Sequence, residues 1–175
     1  MKTEKLPSLQ EGQSLGRGLG FKRFFTKSGV HPLDEMKYVK RSSVITNPDG
    51  SVVFKMENVE VPESWSQLAT DIIVSKYFRK AGVPETGSEV SARQVVYRIA
   101  HSIRVAGEKL GGYFKTAADA QVFEEEMLHL LIQQKCAFNS PVWFNCGMDL
   151  YGIKGSGGNF YWDPATDSIR QATDS

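Results

Sequence analysis

Few residues in this chain of 175 have the chemistry to catalyse or to ligate. Glu126 and His129 stand three apart. On a helix that spacing puts both side chains on one side, as in the Glu-x-x-His pairs of di-iron helix bundles. Such a centre needs a second pair and further glutamates, and the chain holds no second copy. The run Glu124-Glu125-Glu126 therefore reads as a solvated helix face, and no metal site is assigned. His31, His101 and His129 fit no zinc-ligand spacing. His101, with Tyr97 and Arg104 on the polar side of its helix, reads as a surface histidine. Cys136 and Cys146 are ten apart. Two cysteines at that spacing make neither a redox pair, a disulfide scaffold nor an all-cysteine zinc site. A buried free cysteine is the simplest reading of each.

Two glycine runs invite comparison with anion-binding loops. Gly16-Arg17-Gly18-Leu19-Gly20 lacks the strand before it and the helix after it that a dinucleotide loop requires, so it reads as flexible lead. Gly155-Ser156-Gly157-Gly158 can present backbone N–H groups to an anion as a nest, or serve as a plain loop. No nucleophile elbow or Walker loop occurs. Ser140 is the remaining candidate. Pro141 stops the preceding helix, and a residue before proline is pushed to extended geometry. The Ser140 hydroxyl and the N–H groups after it can then face an anion; a plain helix stop is the other reading.

The elements that position these residues carry clear punctuation. Ser43–Thr46 and Ser51–Phe54 are short β-branched runs around Asn47-Pro48-Asp49-Gly50, which predicts a hairpin. Val59–Val61 reads as a third short strand. Three helices follow. Ser64-Trp65-Ser66-Gln67 is a capping box, with Trp65, Leu68, Ala69, Ile72, Ile73 and Tyr77 as the apolar face and Gly82 and Pro84 as the stop. Ser91-Ala92-Arg93-Gln94 is a second box, with Val96, Ile99, Ile103, Ala106 and Leu110 facing inward as far as Gly111-Gly112. Thr116 caps the third helix, whose stripe is Val122, Phe123, Met127, Leu130 and Leu131. Ile72 and Phe123 are expected in the core. Residues 136–145 are aromatic, interrupted by proline and not helical by period. Residues 151–175 read as loop and stop without a terminating element, so the chain is expected to be cut from a longer one.

Composition sets the class. The chain is 41% hydrophobic and 23% charged, with 21 Lys+Arg against 20 Asp+Glu and a net charge of +1. That suits an ordinary globular protein and argues against a nucleic-acid binder. There is no apolar run long enough to span a membrane and no secretory signal, so a cytoplasmic location is the default. Charge is uneven: residues 1–41 hold nine Lys/Arg and four Asp/Glu.

Several stretches resemble the N-terminal region of vitamin B12-dependent (adenosylcobalamin-dependent, class II) ribonucleotide reductases. They are Gly20–Lys27 with Gly29-Val30-His31-Pro32, Thr46–Gly50, Val61–Phe78, Phe138–Asn145 and Tyr151–Gly158. The resemblance covers the chain from about residue 14. It implies a mainly α fold with a small β-hairpin, a helical N-terminal domain leading into a truncated ten-stranded α/β barrel. The expected division is a flexible basic lead over 1–20, the N-terminal domain over 21–135 and the start of the catalytic barrel over 136–175.

The implied reaction reduces ribonucleoside diphosphates to deoxyribonucleotides for DNA synthesis. Adenosylcobalamin starts it by generating a thiyl radical on a barrel cysteine. The resemblance places Ser140, in Asn-Ser-Pro, at the position that contacts the substrate nucleotide. It places the radical cysteine and the redox pair beyond Ser175, so no catalytic residue is assigned in this chain, cofactor-binding residues are left open, and the chain alone is expected to be inert. Implied partners are the ribonucleotide and a dithiol reductant such as thioredoxin; a dNTP effector and a homo-oligomer are compatible with the family, nucleic acid and membrane are not expected. The competing reading is a free-standing helical interaction module, with the basic lead and aromatic tail binding a partner.

Overall fold

The computed structural model describes residues 18–153 and 160–171. Strand β1 (Tyr38–Thr46) pairs antiparallel with β2 (Val52–Pro62). The turn is the expected one. Gly50 takes a positive φ of 85°, and the Asp49 carboxylate accepts the Ser51 N–H at 2.8 Å and its hydroxyl at 2.6 Å. The hairpin is longer than the sequence suggests, because Val59–Val61 continues β2 instead of forming a third strand. Cover fades toward the turn: Val59, Val61 and Ser43 are buried, Phe54 and Met56 half-buried against the core, and Val52 and Val53 exposed.

Helix α1 (Gln67–Ile72) begins later than the first capping box predicts. Trp65 lies outside it, with its N–H turned onto Pro62 O at 3.1 Å and its indole donating to Ile132 O at 2.8 Å inside the core. That leaves Ser66, not Ser64, to cap the helix, accepting the Ala69 N–H at 3.0 Å. The buried face is correspondingly rotated. Ile72 is 46% exposed and Leu68 69%, while Thr70, Ile73 and Val74 are buried. Ile72 is therefore not a core residue. Its helix runs on into a π-helical turn, Ile73–Tyr77, closed by Phe78 N–H to Ile73 O.

Helix α2 (Ala92–Leu110) has the full capping box read at Ser91 and Gln94 and ends at Gly111. Val95, Val96, Ile99 and Ala100 are buried against β2 and helix α3 (Ala117–Ile132). Burying such a side chain contributes about 1.5–3 kcal/mol. Past Ile103 the face runs out: Ala106 is exposed, as is Leu110.

Thr116 caps α3, accepting the Asp119 N–H. The core side of α3 is Ala120, Glu124, Leu128, Leu131 and Ile132. Phe123 is half-buried and lies in a ring cluster with Phe21 and Phe114, at centroid distances of 5.3 Å to each. The acidic run is not a solvated face. Glu124 is buried and accepts from His101 and Arg104. Glu125 pairs with Arg23. Glu126 accepts the N–H groups of Phe24, Phe25 and Thr26. The chain from Phe21 to Thr26 is thus tied along α3, where a carboxylate takes the backbone donors of an irregular segment in place of water. The lead is docked earlier still. Leu19 bridges to Phe114, donating to Tyr113 O at 2.8 Å, and a Cβ on Gly18 would meet the Phe114 backbone at 2.3 Å. The expected flexible stretch up to residue 17 lies outside the described residues.

Two further elements depart from expectation. Ser140–Asn145 is helical (α4). Within 151–175, β3 (Phe160–Asp163) pairs with β4 (Ser168–Gln171). Asp163 closes their turn, accepting from Ala165 N and the Thr166 hydroxyl, both at 2.9 Å. The described residues are therefore mixed in class, with helices and two antiparallel hairpins among them. No helix among the described residues is long and apolar enough to cross a membrane.

Candidate functional site around Ser140

Ser140 reaches its position through a change of direction at the end of α3. Gln134 adopts a left-handed φ of 54°, and Lys135 N–H turns back onto Leu130 O. Asn139, at φ −69° and ψ 161°, is the extended residue that precedes α4. Ser140 is already helical, which corrects the expectation of an extended pre-proline serine. Pro141 sits in the first turn, where its missing N–H has no partner to lose. It starts a helix here; α3 has already ended at Ile132, well before Pro141, so the reading of Pro141 as the stop of that helix is corrected too.

The far end of α4 is locked from below. Arg98, 1% exposed, donates to Trp143 O at 3.1 Å and to Cys146 O. Its Nε lies 2.8 Å from Oε1 of Glu89, itself fully buried. Glu89 also accepts the Arg79 N–H at 2.6 Å and the Tyr151 hydroxyl at 2.8 Å. Burial first, then the Glu89 charge and hydrogen bond, pushes the Tyr151 phenol well above its usual range, so it acts only as a neutral donor. Gly147 follows at φ 76°, and a Cβ there would sit 2.5 Å from Ser102 Oγ and 2.6 Å from Arg98 O. Only glycine lets α4 pack so closely on α2.

On the solvent side, the Ser140 and Tyr77 hydroxyls lie 3.2 Å apart. The Tyr77 ring rests on Trp143 and Phe144, at 5.7 and 5.4 Å. A groove of about 420 Å³ opens beside them, lined by Trp65, Ile73, Tyr77, Gln134, Cys136 and Trp143 among others. Ser140 does not line it and is joined to it through Tyr77. Tyr77 also borders a second cavity of about 410 Å³ whose lining includes Lys76, Arg79, Lys80 and Asn145 and no carboxylate. Lys80 donates to Val74 O and lies 4.7 Å from the centre of the Phe54 ring. Burial there lowers its ammonium pKa, partly offset by Glu89.

The other candidates are engaged elsewhere. Glu126 holds the arm, and His129 stacks on Phe25 at 5.1 Å, so the Glu-x-x-His pair does not converge on an ion. His101 is half-buried, not a free surface residue: its Nδ1 lies 3.0 Å from Glu124 and its ring stacks on Tyr97. His31 caps the turn Pro32–Glu35, accepting from Leu33 N–H. Cys146 is half-buried, but Cys136 is exposed. Burial raises both thiols above their usual value, so neither is poised as a thiolate. Gly155–Gly158 lies outside the described residues. Sequence reasoning missed Tyr77, Arg98 and Glu89. The apolar periodicity placed Tyr77 on a core face, and nothing local marks a buried Arg–Glu pair nine residues apart.

Comparison with known proteins adds the family. The profile of the class II vitamin B12-dependent ribonucleotide reductases matches residues 39–134, from β1 to just past α3, and stops short of α4. Vitamin B12-dependent ribonucleotide reductases of Streptomyces coelicolor and Agrobacterium fabrum are 47% and 40% identical over 80% and 86% of the chain. That of Rhodopirellula baltica is 36% identical over 88%. The chain spans about one seventh of the length of these relatives, 14–15%. With more than half its residues inside the family profile, this chain belongs to the class II vitamin B12-dependent ribonucleotide reductases.

Proposed function

We propose that the chain is the N-terminal part of an enzyme that reduces ribonucleoside diphosphates to deoxyribonucleotides, and that Ser140 is its contact with the substrate nucleotide. The family match supports ribonucleotide reduction; the diphosphate level is part of the proposal. The hydroxyl pair at the edge of a groove, beside a cavity with three cations and no carboxylate, supports the Ser140 contact, because a nucleotide presents both polar oxygens and negative charge. In this reading 21–135 form the N-terminal domain and 136–175 begin the catalytic barrel. The exposed Phe160, Tyr161 and Trp162 then pack on barrel elements outside the chain.

Adenosylcobalamin, when bound to the whole enzyme, supplies the radical that starts the reaction. The described residues do not fit it. All three histidines are engaged away from the groove, whose polar side chains are those of Trp65, Tyr77, Gln134, Cys136 and Trp143. We assign the corrin, the radical cysteine and the redox cysteines to the rest of the enzyme, with a dithiol such as thioredoxin as reductant. What this chain contributes is a fixed hydroxyl, set on a helix whose other end is clamped by Arg98.

The test is a pair of titrations on the full-length enzyme. A net hydrogen bond contributes about 0.5–1.5 kcal/mol, or 1.5–3 to a charged acceptor. Ser140→Ala should thus weaken ribonucleotide binding roughly three- to a hundredfold and leave cobalamin affinity unchanged. Unchanged ribonucleotide affinity would remove Ser140 from the site. The full-length enzyme should form deoxynucleotide with adenosylcobalamin and dithiol, and the 175-residue chain alone should form none.

A further inference from the structure

We propose that Tyr77 is the positioning residue of the Ser140 contact: its phenol donates to Ser140 Oγ and so leaves the serine's one proton for an acceptor oxygen of the nucleotide. The proposal rests on the reading of Ser140 as a substrate contact. A serine hydroxyl has one donor and two acceptor sites and rotates freely unless something holds it. At 3.2 Å the two hydroxyls are within bonding distance. Two arrangements exist. If serine donates to tyrosine, its proton is consumed and its lone pairs face the incoming ligand, which an oxygen-rich nucleotide disfavours. If tyrosine donates, the serine proton points outward, and the chain phenol–serine–ligand polarises in one direction, strengthening each bond.

The local fold supports a dedicated placement. Tyr77 closes the π-helical turn Ile73–Tyr77, and a π turn inserts an extra residue that re-aims the side chains after it, frequently at functional sites. Here the insertion carries Tyr77 toward α4, where Trp143 and Phe144 flank its ring. Packing fixes the ring and with it the position of the phenol oxygen. Tyr77 also borders both cavities, and so links the serine to the groove it does not line.

The experiment is a double-mutant cycle in the full-length enzyme, titrating a ribonucleoside diphosphate against wild type, Tyr77→Phe, Ser140→Ala and the double variant. Phenylalanine keeps the ring packing and removes only the donor. Tyr77→Phe should weaken binding about three- to tenfold when Ser140 is present and by less than about twofold when it is alanine. The loss should appear in KM with kcat retained, and Ser140→Thr, which keeps a hydroxyl, should restore the dependence on Tyr77. Equal weakening in both backgrounds, accompanied by a lower Tm, would show that Tyr77 only packs α4 and would overturn the proposal. No effect of Tyr77→Phe beside an intact Ser140 would overturn it as well, while leaving the Ser140 contact standing. No effect of Ser140→Ala would remove both.

Discussion

Arg98 and Glu89 form an ion pair with neither side chain more than 1% exposed, and the guanidinium N–H groups left over hold the carbonyls that end α4. A pair this deep is stable only because both partners are saturated: Glu89 also takes the Arg79 N–H and the Tyr151 hydroxyl. Removing one partner strands the other. Arg98→Met should destabilise the chain by about 3–5 kcal/mol in denaturant unfolding, because an uncompensated carboxylate stays buried. A loss under about 1 kcal/mol would mean that water reaches Glu89.

Gly147 tests how closely α4 is packed. Alanine at this positive φ meets Ser102 and the Arg98 backbone, whereas Gly29 has a similar φ of 77° and no atom within 4 Å of where a Cβ would sit. Gly29→Ala should cost only the left-handed strain, about 1–2 kcal/mol. Gly147→Ala should cost clearly more. Equal costs in thermal unfolding would show that α4 moves aside freely.

The core register separates two isoleucines. Ile99→Ala, at a fully buried site, should cost about 2–5 kcal/mol. Ile72→Ala, 46% exposed, should cost less than about 1 kcal/mol, near the surface range. The reverse order would place the core on the other face of α1.

Docking of the arm should respond to acid. Burial pulls the Glu126 carboxyl upward, but the Thr26 hydroxyl and the N–H groups of Thr26, Phe25 and Phe24 outweigh it and hold the pKa below the usual 4.5. A depressed carboxyl stabilises docking fully above its ordinary pKa, and the stabilisation is lost as pH falls through the folded value. Amide exchange at Phe24–Thr26 should therefore lose protection below about pH 4, relative to α2. Glu126→Gln should lose it at neutral pH. Protection independent of both would assign docking to the remaining contacts, the Phe21, Phe114 and Phe123 rings, the Leu19 backbone bridge and the Arg23–Glu125 pair.

Local signals are readable wherever the partner lies a few residues away. The hairpin turn at Asn47–Gly50, the capping box at Ser91 and Gln94, the Thr116 cap and the stop at Gly111 all close their bonds within about one turn of chain. Such bonds form whatever the rest of the molecule does, so residue type and spacing suffice to find them. Glu124–Glu126 reads as solvated for the opposite reason. Their long-range partners, His101, Arg104, Arg23 and Thr26, are 20 to 102 residues away, and a charged run carries no mark of what will cover it. Periodicity places Trp65 in the wrong element because its large side chain satisfies a tertiary pocket before it satisfies the helix.

The sequence by itself determined the family, the presence of a candidate serine in Asn139-Ser140-Pro141, both ends of α2 and the start of α3, since these depend on residue order and on short-range backbone chemistry. Only the tertiary structure decided what Ser140 faces. Tyr77 stands 63 residues before it, Arg98 reaches the end of its helix from a third element, and Gly147 lets α4 approach α2, because a Cβ there would meet Ser102. Contacts between distant segments follow from how whole faces pack, where a rotation of α1 by one residue exchanges Ile72 for Ile73 in the core. A single sequence records the apolar residues available to that packing but not the angle at which they meet.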